Sequence, residues 1–247
     1  MKIIISPAKK MKQEEDLDYR DLPVYLDRAE EIHALLKTCT LSECQALWKC
    51  NDAIATLNYE RIQAMNLKGN LSPALFTYEG IQYRSMAPGA MNRAEMEYVQ
   101  EHLRILSGFY GILRPFDGIT PYRLEMLTKL SVKGSRDLYD YWGDALYTSL
   151  TKDDHVLLNL ASKEYSKCIE KYLTGQDTFI TVVFGEEQNG KIKQKATMAK
   201  MARGAMVRFL AEQNADAPEA CKAFQGEGFR FSEEHSDETT YTFLRES

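Results

Sequence analysis

Two short apolar runs, each breaking into a turn that carries a serine and a lysine, do most to limit the folds open to this 247-residue chain. Ile3-Ile4-Ile5 is a β-branched run bounded by Lys2 and Ser6-Pro7, and His155-Val-Leu-Leu-Asn-Leu160 is the second. Short, nearly continuous apolar runs suit strands buried on both faces of a mostly parallel sheet. The loops after them deliver Ser6 and Lys9 in one case, Ser162 and Lys163 in the other. Ligands of open α/β sheets bind outside the carboxyl ends of the strands, so these four residues are predicted to share one edge and one cleft. The Ser6-x-x-Lys9 spacing also occurs in serine β-lactamases, but no Ser-Asp-Asn or Lys-Thr-Gly partner follows it.

The stretch from His102 to Met126 is the second constraint. Val99, Leu103 and Leu106 repeat at helical spacing and meet Ser107-Gly108, which predicts a helix ending at that glycine. Gly108 and Gly111 bracket Phe109-Tyr110, a spacing that allows a sharp turn with backbone N–H groups open to a phosphate. Pro115 and Pro121 stiffen the exit beside Arg114 and Arg123, so two guanidinium forks sit on a rigid segment. Arg104, Gly108, Tyr110, Gly111, Arg114 and Arg123 are therefore candidate anion contacts. The plain structural alternative is a proline-rich corner whose arginines pair with Asp117 and Glu125.

The remaining segments read as scaffold. Residues 22–65 look helical, with Pro23 near a start, an apolar stripe at Ile32, Leu35 and Leu36, and a capping pattern at Thr40-Leu-Ser-Glu43. Residues 73–83 hold strand formers, and Asn92 is placed to start the next helix. Leu138, Trp142 and Ala145 at helical spacing read as core. Residues 178–184 and 191–197 are two strands joined across Asn189-Gly190, a strong hairpin signal, with Lys191, Lys193 and Lys195 on one face. Residues 198–213 form a helix with Met201, Ala205 and Phe209 inward, leaving Lys200, Arg203 and Arg208 on its outer surface. Residues 226–244 read as a last hairpin. The chain contains no repeat or linker, so one domain over 1–247 is expected.

Charge is segregated along the chain. The net charge of −5 argues against a protein that coats nucleic acid over its whole surface. Yet residues 191–208 carry six basic side chains and no acid, and residues 2–12 carry four lysines and no acid. Five scattered cysteines match neither a disulfide framework nor a zinc site, and four scattered histidines form no metal-binding pair. No metal and no cofactor is expected. Without a run of about 18 apolar residues or a signal-peptide core, a cytoplasmic, membrane-free protein is expected.

These blocks resemble the YaaA family of peroxide-stress proteins over nearly the full length. The resemblance is carried by Ile5-Ser-Pro-Ala-Lys9, the run from Leu103 to Pro115, Pro121-Tyr-Arg-Leu-Glu-Met126, Asp137-Leu-Tyr139, Trp142-Gly-Asp144, Asn159-Leu-Ala-Ser162 and Ala202-Arg-Gly204. It implies a single compact α/β domain with a mixed, partly parallel sheet flanked by helices, a positively charged cleft and a helix-hairpin-helix-like element at residues 107–111. It further implies binding of double-stranded or structured DNA, and a role in limiting free iron and oxidative DNA damage under peroxide. A monomer is expected. Two functions follow from the residues. In one, lysine and arginine loops neutralise phosphates along a cleft. In the other, an enzyme acts on a small anionic substrate in a pocket where Lys9, Lys163, Lys200 and Arg203 converge. No nucleophile, base and orienting group form a recognisable set, so the enzyme reading lacks a reaction.

Overall fold

The computed structural model describes residues 1–245 and builds them around one nine-stranded sheet. Its strands are β1 (Lys2–Ile5), β2 (Leu103–Ser107), β3 (Gly111–Leu113), β4 (Val156–Asn159), β5 (Thr178–Gln188), β6 (Lys191–Lys193), β7 (Gln225–Gly226), β8 (Phe229–Ser232) and β9 (Thr240–Arg245). The order is β7-β8-β9-β5-β4-β1-β2-β3, with β6 paired to β5. Strands β2, β1, β4, β5 and β9 are mutually parallel, and antiparallel hairpins close both edges. Ile3, Ile4 and Ile5 are fully buried, as expected of a central strand covered on both faces.

The α-helices of five residues or more are α1 (Leu26–Thr38), α2 (Leu41–Trp48), α3 (Asp52–Ala64), α4 (Ile81–Met86), α5 (Arg93–His102), α6 (Leu138–Trp142), α7 (Ala145–Thr151), α8 (Lys163–Glu170) and α9 (Ala196–Glu212). Thr40 and Glu43 form the expected capping box on α2, and Asn92 forms another with Glu95 on α5. Asn189 and Gly190 both take positive φ, the geometry a two-residue hairpin requires between β5 and β6. The single mixed α/β sheet is thus the one the sequence implied.

Three assignments are corrected. The helix expected to run to Gly108 ends at His102, and residues 103–107 are strand β2 beside β1. Leu103, Ile105, Leu106 and Ser107 are all buried, so double-sided burial, not helical periodicity, explains the apolar spacing. The glycine turn consequently joins β2 to β3, and the helix-hairpin-helix-like element expected there is a β-hairpin. Residues 73–83, read as strand formers, hold a helical turn at Ala74–Thr77 and the start of α4, which follows an extended Gly80 and buries Gln82, Tyr83 and Met86. Helix α9 begins at Ala196 and turns Ala199, Ala202, Met206 and Leu210 inward in place of Met201, Ala205 and Phe209.

Asp177, just ahead of β5, anchors the far edge of the scaffold. Burial raises its carboxyl, but hydrogen bonds donated by His155 Nδ1 (2.7 Å), Thr174 N–H (2.7 Å), the Tyr147 hydroxyl (2.9 Å) and Thr174 Oγ1 (2.9 Å) outweigh this and hold it at about 2. A folded value below the unfolded one gives stability that is present above about pH 4 and lost as pH falls toward about 2. Asp177→Asn is expected to cost about 1 to 2 kcal/mol at pH 7, trimmed by solvent at the half-exposed His155. Urea unfolding at pH 7, 4 and 2 should show the difference from the native chain shrinking across the two lower values.

Candidate anion-binding cleft

Strands β1 and β4 run side by side and end together, with Ile4 opposite Asn159 and the Leu160 N–H donating to the Ile4 carbonyl at 2.9 Å. Their loops therefore leave the sheet as a pair. The Ser162 N–H donates to Ser6 Oγ (2.8 Å), and the Ser6 hydroxyl donates to Ser162 Oγ (3.1 Å). Two serines separated by 156 positions thus lock the two strand ends, and the Tyr83 hydroxyl ties α4 to them through the Ser6 carbonyl at 3.1 Å. The serines are structural clasps as well as cleft wall.

Around this clasp lies a cleft of about 390 Å³. Six cations line it, Lys9, Lys10, Arg84, Arg123, Lys200 and Arg203, against the carboxylates of Glu79, Glu125 and Glu164. The segment 121–126 alternates, with Tyr122, Leu124 and Met126 buried, so Arg123 and Glu125 share the opposite, cleft-facing side. Arg123 Nη2 lies 3.3 Å from Glu125 Oε1, and Lys9 Nζ lies 3.3 Å from the same oxygen. Neither cation has hydrogen-bond geometry to it, and the Arg123 Nε is also buried without a partner. Arg203 has a buried, unpartnered Nε, and burial holds its guanidinium below the usual arginine value. Gln82, 6% exposed, buries an unpartnered amide nitrogen in the same place. Buried polar groups are normally satisfied, so three unpartnered donors and one oxygen without a hydrogen bond, all on residues lining one cavity, make it the candidate ligand site.

The floor is set by buried tyrosines. The Tyr122 hydroxyl lies 2.7 Å from that of Tyr78 and 2.6 Å from Ser107 Oγ, and burial pushes both phenols well up, keeping them protonated. Helix α9 brings Lys200 and Arg203 to the cleft because Gly204 lets it rest directly on α4, where an added Cβ would meet the Gln82 carbonyl at 1.9 Å.

Of the residues predicted from sequence, Ser6, Lys9, Arg123, Ser162, Lys200 and Arg203 converge here. Lys163 starts α8, but its ammonium pairs with Glu170 and it does not line the cleft. Arg104 donates to the carbonyls of Gln100 (3.1 Å) and Leu103 (2.7 Å), serving the α5 to β2 junction. Arg114 pairs with Asp117 and Asp21, both at 3.1 Å, so it is a corner residue, as the structural alternative held. Gly108, Tyr110 and Gly111 are buried. The N–H groups of Phe109 and Tyr110 donate to Ser107 Oγ at 3.1 and 2.9 Å, so they are not open to phosphate. Gln82 and Tyr83 were missed because residues 81–83 read as strand, and Arg84 lies just beyond them in the same helix. The alternation at 121–126 could have placed Glu125 with Arg123.

Among the described residues no cluster of three metal-ligating side chains occurs and no helix is long and apolar enough to cross a membrane. The sequence profile described as peroxide stress protein YaaA matches residues 1–235. The chain is 51% identical over 246 residues to a UPF0246 protein of Desulfitobacterium hafniense, covering 99% of this chain and 98% of that protein. A UPF0246 protein of Agathobacter rectalis is 49% identical with 99% of each chain covered, and one of Ligilactobacillus salivarius is 47% identical, covering 99% of this chain and all of its own. With the profile and these full-length relatives in agreement, the chain belongs to the YaaA family of peroxide stress proteins.

Proposed function

We propose that the protein acts in the peroxide response by binding double-stranded or structured DNA through this cleft, shielding it from oxidative damage, as a cytoplasmic monomer. The observation that carries the reading is the gathering of six cations against three carboxylates in one cleft of a chain whose net charge is −5. Lysines are suited to phosphate as point charges, and Lys9, Lys10 and Lys200 stand exposed at the rim, Lys10 paired with Glu79 at 2.9 Å and Lys9 with Glu125 at 3.3 Å, partners a phosphate would have to displace. Among the described residues no metal-ligating cluster is present, so any limitation of free iron is proposed to be indirect. A second reading, an enzyme acting on a small anionic substrate, is favoured by the idle buried nitrogens of Arg123 and Arg203. It has no nucleophile and base pair to supply a reaction.

Fluorescence anisotropy of a labelled duplex across a salt series tests the first reading. The affinity should be largely independent of sequence and its logarithm should fall linearly with log salt, by about 0.9 for each phosphate contacted. Changing Lys9, Lys10 and Lys200 together to alanine should weaken binding and flatten the slope by roughly two to three, because up to three phosphate contacts go. Weaker binding with an unchanged slope would place the DNA contact elsewhere.

A further inference from the structure

The polar side chains of the cleft fall into two levels. Lys9 and Lys10 have side chains 67% and 74% exposed, whereas Arg123 is 10% exposed and Gln82 only 6%. A rigid duplex laid over the mouth meets the upper level. The lower level can be reached only by a group small enough to leave the stack and enter. The chemistry of that level also differs, because it combines unpartnered donors on Arg123, Arg203 and Gln82 with the Glu125 carboxylate, whose Oε1 makes no hydrogen bond and is held at 3.3 Å by Lys9 Nζ and Arg123 Nη2. A lone phosphate or carboxylate would use the donors and be repelled by Glu125. A nucleobase edge presents acceptors and N–H donors together, the pattern that arginine, glutamine and glutamate side chains match when they read bases. The volume suits one such unit, and Tyr83, Tyr122 and Tyr165 are among the lining residues.

We infer that the inner cleft takes a single unstacked nucleotide, its phosphate at the rim lysines and its base on Gln82, Arg123, Glu125 and Arg203. The inference deepens the reading of the cleft as a site for nucleic-acid phosphate and rests on it. The nucleotide has two possible sources, a free mononucleotide or one extruded from a strand, and extrusion costs least where the base lacks a pairing partner. Because Glu125 accepts and does not donate, bases bearing an exocyclic amino group should be preferred over thymine, whose one N3–H donor is flanked by two carbonyl acceptors.

Isothermal titration calorimetry of the full chain with dAMP, dGMP, dCMP, dTMP and base-free 2-deoxyribose 5-phosphate tests this. The amino-bearing nucleotides should bind at least about tenfold more tightly than the sugar phosphate, the gain expected of one good base contact. Glu125→Leu, which removes the acceptor oxygens, should shrink that ratio, and Gln82→Leu should shrink it independently, with thermal unfolding checking that each variant is folded. A duplex with one nucleotide opposite an abasic residue, compared with its fully paired counterpart, assigns the source: tighter binding of the former indicates extrusion, and equal binding a free nucleotide. Sugar phosphate binding as tightly as every nucleotide would overturn the inference, and paired duplex that still bound with its salt slope would leave the DNA reading standing. Base-dependent mononucleotide binding without any duplex binding would uphold the nucleotide site and remove the DNA reading.

Discussion

Gly204→Ala is expected to cost about 3 kcal/mol, lowering the melting temperature by roughly 6 to 12 °C for a chain of this size. The sign runs against helix propensity, since alanine in a helix interior gains about 1 kcal/mol over glycine. Packing decides it. The added methyl would sit 1.9 Å from the Gln82 carbonyl oxygen, 2.9 Å from its carbon and 3.0 Å from the Met86 nitrogen. All three are backbone atoms of α4, so no side-chain rotation relieves the clash. Helix α9 must lift away, and Lys200 and Arg203 leave Arg123 as it does. Calorimetry should therefore show the loss of stability. Titration with DNA at a temperature where the variant is still folded should show affinity falling by about tenfold, the loss of one charged contact. An alanine variant as stable as the native chain would mean that the two helices do not meet at this carbonyl.

The two turn glycines should separate in their effects. Gly111 has φ +77°, and its added Cβ would meet the Trp142 ring at 2.7 Å and Leu146 at 2.9 Å. Left-handed strain of about 1 kcal/mol and overpacking of about 1 to 3 kcal/mol together predict a loss of roughly 2 to 4 kcal/mol for Gly111→Ala. None of these contacts lies in the cleft, so the folded variant should keep its affinity. Gly108 instead approaches the segment that carries the site: its added Cβ would meet the Leu124 carbonyl oxygen at 2.7 Å and the Glu125 carbonyl carbon at 3.0 Å. The Trp142 indole N–H donates to the Gly108 carbonyl at 3.1 Å and holds the turn from behind, so the strain falls on residues 124–126. Gly108→Ala should thus displace Arg123 and Glu125 and lower anion affinity by about tenfold or more in the folded protein, through misplacement of the binding groups. Anisotropy titrations well below each variant's melting temperature distinguish the two. Loss of binding in folded Gly111→Ala would show that the turn itself contacts the ligand.

Much of the scaffold was legible because it rests on local rules. The apolar runs at residues 3–5 and 155–160 marked parallel strands, Thr40 and Glu43 marked a helix start, and Asn189-Gly190 marked a hairpin, each with its cause within a few residues. The edge position of Ser6, Lys9 and Ser162 followed from those strands and a general property of parallel sheets. The misreadings came where burial from both sides mimics a helical stripe, as in residues 103–107, or where a short helix carries strand-forming residues, as in 81–83.

What the sequence determined by itself was a parallel α/β core with hydroxyl and ammonium groups at its strand ends, together with the basic segments that supply cations. Which of those cations act together depends on the packing of the folded chain. Arg114 and Arg123 sit in similar proline-flanked surroundings and both pair with carboxylates, Arg114 with Asp117 and Asp21 and Arg123 with Glu125, yet only Arg123 lines the cleft and keeps a buried nitrogen without a partner. Lys163 lies next to Ser162 and points to Glu170, while Lys200, 38 positions beyond Ser162, shares its cleft. Pairing and desolvation depend on neighbours brought together by packing, through the bare Cα of Gly204 against α4 and the Ser6 to Ser162 clasp, and such distances are not carried by spacing along the chain.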